Sequence, residues 1–156
     1  MKKWIAILAF WAVAMGANAA SMQQLPQLTV QDQFDKPVVV DGQLEWLLLS
    51  SDKASGETVK NVLNKLGLTD LKAQKGVYLA DISAMPGFIT KMFAVPKMQD
   101  YAFKIGLIYD EEQLNGWPRE EDKVTALRLK DGHIEEISYP ASEQELENWL
   151  KGVLEK

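Results

Sequence analysis

The chain has 156 residues, of which 47% are hydrophobic and 25% charged, with a formal net charge of −5, one histidine and no cysteine. These are the proportions of a single ordinary globular domain. The lack of cysteine excludes disulfides, thiolate nucleophiles, zinc-thiolate sites and iron-sulfur clusters, and a lone His133 removes His-pair metal sites and most conventional Ser-His triads.

The first residues fall into three parts: Lys2-Lys3, the apolar run Trp4 to Met15, and the small-residue exit Ala17-Asn18-Ala19. This order predicts an export signal over residues 1–19, cleaved before Ala20, and a periplasmic location. The apolar run is shorter than the roughly 20 residues needed to cross a bilayer, so no stable membrane anchor is expected after cleavage. Removing Lys2 and Lys3 takes the formal charge from −5 to −7. Without a positive field or a Lys/Arg cluster, neither nucleic acid nor anionic lipid is an expected partner. Residues 20–33 read as a loosely ordered lead-in, and 34–156 as one folded domain.

Within that domain, Pro37-Val-Val-Val40 before Asp41-Gly42 predicts a short edge strand. The nearly continuous apolar run Leu44 to Leu49 predicts a central strand covered on both faces. Beyond the polar stretch Ser50 to Gly56, Val59, Val62, Leu63 and Leu66 repeat with helical period up to Gly67. Gly76 to Ile82 is a second apolar strand, so the order strand, helix, strand predicts a parallel right-handed crossover. Phe88, Ile89, Met92 and Phe93 share one predicted helical face that packs into the core, the other reading being a Met-rich binding groove formed by Phe88, Met92, Phe93 and Met98, and Val95-Pro96 should kink or stop that helix. Lys104 to Tyr109 is strand-like. Val124 to Leu129 and His133 to Tyr139 bracket Lys130-Asp131-Gly132 as a hairpin. Ser142-Glu-Gln-Glu145 is a capping box opening a helix with Leu146, Trp149, Leu150, Val153 and Leu154 on one face.

Leu47-Leu-Leu-Ser50 before a polar loop and helix resembles the strand that precedes the active site of the thioredoxin family. Val124-Thr-Ala-Leu-Arg-Leu-Lys-Asp-Gly-His-Ile134 resembles that family's last hairpin. The resemblance spans roughly residues 33–154. It implies an α/β, thioredoxin-like three-layer sandwich: a mixed central sheet with a parallel βαβ half and a C-terminal β-hairpin plus helix. More narrowly, Asp81-Ile-Ser-Ala-Met-Pro-Gly87, Trp117 ahead of Glu120-Glu-Asp122, and the Lys-Asp-Gly hairpin resemble a small periplasmic group of unknown function, the YtfJ group. The departures are as informative. The thioredoxin family carries Cys-x-x-Cys in the loop after the central strand, where one thiolate attacks and the second resolves the mixed disulfide. Here that loop is Ser51-Asp-Lys-Ala-Ser-Gly56, and the family's cis-proline position falls at Val124.

The same loop sets hydroxyls and Lys53 at a helix N-terminus, where free N–H groups and the helix dipole favour an anion. The plainer reading is that Asp52 or Ser55 is the N-cap. Trp117, beside Gly116 and Pro118, lies outside any periodic pattern and reads either as an exposed recognition aromatic or as a cap on the sheet. His133 reads as an exposed strand residue. The six carboxylates of Asp110-Glu-Glu112 and Glu120-Glu-Asp122 have oxygen enough for a calcium site but not the spacing of an EF-hand. The sequence thus predicts a non-redox periplasmic protein that binds another envelope protein through Ser51, Asp52, Lys53, Ser55, Trp117 and Val124. It assigns no catalytic residue, resident metal or cofactor. The other reading is an enzyme or metal-dependent protein using carboxylates of the 110–122 loop.

Overall fold

The computed structural model describes residues 23–155, so the predicted export signal over 1–19 lies outside the described residues. In chain order the elements are β1 (Leu28–Gln31), β2 (Pro37–Val40), β3 (Trp46–Ser50), α1 (Lys53–Lys65), β4 (Gly76–Asp81), α2 (Gly87–Ile89), α3 (Val95–Gln99), β5 (Gly106–Ile108), β6 (Thr125–Lys130), β7 (His133–Ser138) and α4 (Glu143–Leu154). A π-helical stretch, Thr90–Ala94, joins α2 to α3, and a 3-10 turn, Glu111–Leu114, follows β5. The strands form one mixed seven-stranded sheet in the order β2-β1-β5-β4-β3-β6-β7.

β3 is apolar along its length because both of its faces are covered. Trp46 and Leu48 join one core with Val59, Val62 and Leu63 of α1 and Leu146, Leu150 and Val153 of α4. Leu47 and Leu49 point the other way, into a second core with Val77, Leu79, Leu127 and Leu129 of the neighbouring strands. The alternation follows from the period of two along a strand. β4 lies parallel to β3, with Trp46 opposite Gly76, and β6 lies antiparallel on the other side. The β6–β7 turn takes the positive φ values its sequence predicts, 51° at Asp131 and 80° at Gly132, matching the twist of a tight hairpin. Ser142 caps α4, its hydroxyl accepting from the Glu145 N–H. Across the helix layer, Glu147 of α4 accepts from Lys65 of α1 at 2.8 Å.

Two segments depart from the sequence reading. The lead-in is ordered through the described part: Leu25 N–H donates to Gly132 O at 2.9 Å, Ile134 N–H donates to Gln23 O at 2.8 Å, and β1 pairs antiparallel with β2. Leu25 and Val30 are buried. A few apolar residues suffice here because the second core has no long helix over it, and the lead-in fills that place. Gln33, also buried, substitutes for strand pairing: its amide donates to Phe103 O and accepts from Ile105 N–H, each at 2.8 Å.

The second departure is the helix after β4. Pro96 does not stop it: helical backbone continues from Gly87 to Gln99. Instead the backbone widens just before the proline, and Val95 N–H reaches back five residues to Thr90 O. Proline has no N–H to offer, and the extra residue per turn makes room for its ring. One extra residue rotates the apolar stripe by about 100°. Val95 and Met98 therefore face the core, whereas Phe88, Met92 and Phe93, expected in the core, are 64%, 66% and 62% exposed.

Two glycines give opposite expectations. A Cβ on Gly76 would overlap the Trp46 indole, while one on Gly152, in α4, meets no atom within 4 Å. Gly76→Ala should cost about 3 kcal/mol and lower Tm by roughly 6–12 °C. Gly152→Ala should be neutral or raise Tm. Thermal unfolding followed by circular dichroism measures both, and a Gly76→Ala protein as stable as the parent would contradict this packing.

Candidate functional site

The loop between β3 and α1 lies at the C-terminal ends of the parallel strands. Asp52 is the N-cap of α1, extended at φ −153°. Its Oδ1 accepts from the Ser55 N–H at 2.8 Å and the Ser55 hydroxyl at 2.7 Å. The Ser55 oxygen in turn accepts from the N–H groups of Ser51 and Asp52, each at 3.3 Å. Asp52 Oδ2 accepts from the Asp122 N–H at 2.8 Å, tying the helix start to the loop before β6. Burial acts to raise the Asp52 pKa, but the hydrogen bonds from Ser55 and Asp122 outweigh it and hold the carboxyl below its ordinary 3.8. A carboxylate belonging to the chain thus occupies the place where a helix N-terminus would attract an anion, and the N-cap reading of this loop is the one the geometry carries.

Beneath the cap, the Ser50 and Tyr78 hydroxyls meet at 2.7 Å, both residues buried. Burial pushes the Tyr78 phenol far up, so it stays protonated. At the end of β4, Asp81 Oδ1 accepts from the N–H and hydroxyl of Ser83, and Oδ2 from Arg119 at 2.9 Å. Asp122 on Asp52 and Arg119 on Asp81 together fasten the 118–122 loop across the ends of β3 and β4. Neither tie has a motif in the sequence, because partners 38 and 70 residues apart meet only through the topology.

The structure divides the six residues singled out from sequence. Ser51 and Asp52 are half-buried, Ser55 is fully buried, and Lys53 is exposed with no ion-pair partner among the described residues. Trp117 is 6% exposed, with its indole in the second core, and is not a surface recognition aromatic. The 3-10 turn folds its loop back, with Trp117 N–H donating to Leu114 O at 3.0 Å. Val124 is fully buried under the helix layer, its N–H donating to Pro140 O at 3.2 Å. The acidic loop does not gather: Asp110 caps the 3-10 turn, Glu120 pairs with Lys123, and among the described residues no three His, Cys, Asp or Glu side chains converge to hold a metal.

What the same end of the sheet does present is apolar. α2 leaves β4 as α1 leaves its neighbour β3, so Met85, Phe88, Met92 and Phe93 lie at this end, with Tyr109 following parallel β5. All five are at least 36% exposed.

The chain is similar to several solved structures. They include the thioredoxin domain of a thiol-disulfide oxidoreductase from Bacteroides vulgatus (TM-score 0.56, 14% identity, 86% of this chain and 98% of that one). A protein described as a thioredoxin from Neisseria meningitidis matches with TM-score 0.58 and 14% identity, over 86% of this chain and 92% of that one. A peroxiredoxin-like protein from Aquifex aeolicus gives 0.53 and 12%, over 85% and 86%. No protein-family model matches the chain. No curated protein matches it. The fold is therefore thioredoxin-like, as its element order implied. The chemistry of thiol exchange has no counterpart here, since the chain contains no thiol and the residues three apart at the helix start, Asp52 and Ser55, bond to each other through oxygen.

Asp52→Asn removes the charge that Ser55 and Asp122 stabilise and should cost about 1 kcal/mol at pH 7. A carboxyl whose folded pKa is depressed stabilises above its unfolded value and loses that contribution as pH falls through the folded one. The stability gap between parent and variant should accordingly narrow below about pH 4; a gap that stays constant in urea titrations from pH 7 to pH 2 would refute it. Tyr78→Phe strands the buried Ser50 hydroxyl and should cost about 1–3 kcal/mol, which the same titrations at pH 7 would register.

Proposed function

We propose that this is an exported, periplasmic, non-redox member of the thioredoxin-like superfamily that binds another envelope protein through the end of the sheet where α1 and α2 begin. The observation that carries this reading is the set Phe88, Met92 and Phe93, the three most exposed large apolar side chains among the described residues. Contiguous exposed aromatic and methionine side chains are the signature of a protein-binding surface. Lys53, exposed beside them in the topology, supplies the charged rim. Asp52, Ser51 and Ser55 hold the head of α1 in shape, and the Asp122 N–H on Asp52 ties it to the loop between Trp117 and Val124. The export pattern of residues 1–19 supports the location, and the Asp81 to Gly87 and Lys-Asp-Gly motifs support a place near the YtfJ group.

A photoreactive side chain at Lys53 or at Phe88, introduced in living cells, should capture a protein that the same group at exposed Glu135, on β7 at the far edge, does not capture. Phe88→Ser combined with Met92→Ser should reduce capture from Lys53 about tenfold or more while leaving Tm unchanged, as expected for side chains already in solvent. Identical capture at Lys53 and Glu135 would overturn the proposed surface. N-terminal sequencing of the secreted protein should begin at Ala20.

A further inference from the structure

At the opposite end of the sheet lies a cleft of about 920 Å³ between the β1–β2 hairpin and the start of β4. That volume falls in the upper part of the range of ligand sites, roughly 300–1,000 Å³. Its walls are two strand edges. Val38 and Val39 point to opposite faces of β2, yet both line the cleft, so the strand meets it edge-on. The same holds for β4: Val77 belongs to the second core and Tyr78 to the first, yet both line it. Neither edge has a strand beside it among the described residues, and of the β4 edge only the Gly76 N–H is engaged, donating to Leu71 O at 2.9 Å. β2 is the outermost strand and pairs with β1 alone, and β5 pairs with β4 only from Leu79 onward, leaving Gly76 to Tyr78 without a strand on that side.

The cleft is lined by three lysines and three aspartates, and the two sets differ in how they are held. Lys36, Lys72 and Lys104 line it, exposed, and none of them pairs with an acid among the described residues. The aspartates beside them are turned into their own loops: Asp32 accepts from the N–H groups of Phe34 and Lys36, Asp41 from Gln43, and Asp70 from Ala73. The cations are the groups left for a ligand.

We propose that this cleft binds an extended acidic peptide segment of another protein by strand addition. Its main chain pairs with the free edge of β2, its apolar side chains lie on Val38 and Val77, and its carboxylates meet Lys36, Lys72 and Lys104. Main-chain pairing supplies the affinity and the lysines the selection of sequence. The site is independent of the surface formed at the starts of α1 and α2.

The probe is a fluorescein-labelled octapeptide of alternating valine and glutamate, with fluorescence anisotropy as the readout on the full protein. Saturable binding is expected, weakened about tenfold or more by Lys36→Glu, Lys72→Glu and Lys104→Glu together, and abolished by N-methylation of alternate peptide bonds. Phe88→Ser, at the other end, should leave the affinity unchanged. The three lysines are exposed, so their replacement leaves folding intact, which circular dichroism verifies. The proposal is overturned if the acidic peptide does not bind, if its N-methylated form binds equally, or if the octapeptide of alternating valine and lysine binds as well.

Discussion

Everything else in this fold is arranged around a strand that meets no water. β3 is buried at all five positions, and its alternating side chains form the centres of two separate cores. Such a strand has to lie in the interior of a sheet, with a partner on each edge and a layer on each face. The register with β4 is set by shape: Trp46 is so large that its parallel neighbour has no Cβ, and the indole N–H closes the contact by donating to Gln74 O at 3.0 Å. A shift by one residue would set the indole against Val77 and turn each β3 side chain toward the wrong core. With β3 and β4 fixed in this way, the helix starts that follow them are fixed as well, and so is the end of the sheet on which the candidate surface sits.

That dependence explains which parts of the structure were legible in the sequence. β3, α1, β4, the β6–β7 hairpin and α4 each carry a local signal: a long apolar run, a helical period, an Asp-Gly turn, a capping box. Their cause is local, and the signal survives in a single chain. The lead-in carries no such signal because it is held by bonds between Leu25 and Gly132, between Gln23 and Ile134, and between β1 and β2, partners distant in sequence or weakly patterned. Trp117 was ambiguous for the same reason. Whether an aromatic in a loop is exposed depends on which face of the sheet lacks a helix, and that is a property of the whole arrangement.

The reading of Phe88, Met92 and Phe93 failed differently. Their spacing is helical, and the segment is helical, so the period was right and the phase was wrong. The π-helical turn before Pro96 shifts the stripe after it by one residue, and only one of the two halves can then face the core. Val95 and Met98 take that place. Exposing three large apolar side chains forgoes about 1.5–3 kcal/mol for each relative to burial, offset in part by Val95 and Met98, which pack against the core from the same segment.

The loop at the head of α1 shows how a fold can persist after its usual chemistry is gone. A thiolate at a helix N-terminus is stabilised by the free N–H groups and the dipole. Asp52 draws on the same stabilisation with a carboxylate, and Ser55 donates to it from the position one turn on. The difference lies in what the anion can do next. A carboxylate bound to Ser55 and Asp122 is satisfied on both oxygens, is a poor nucleophile, and holds the 118–122 loop in place. Electrostatic features that would activate a thiol instead lend rigidity here, because the same N–H groups and dipole now hold a carboxylate that ties the head of α1 to the loop before β6.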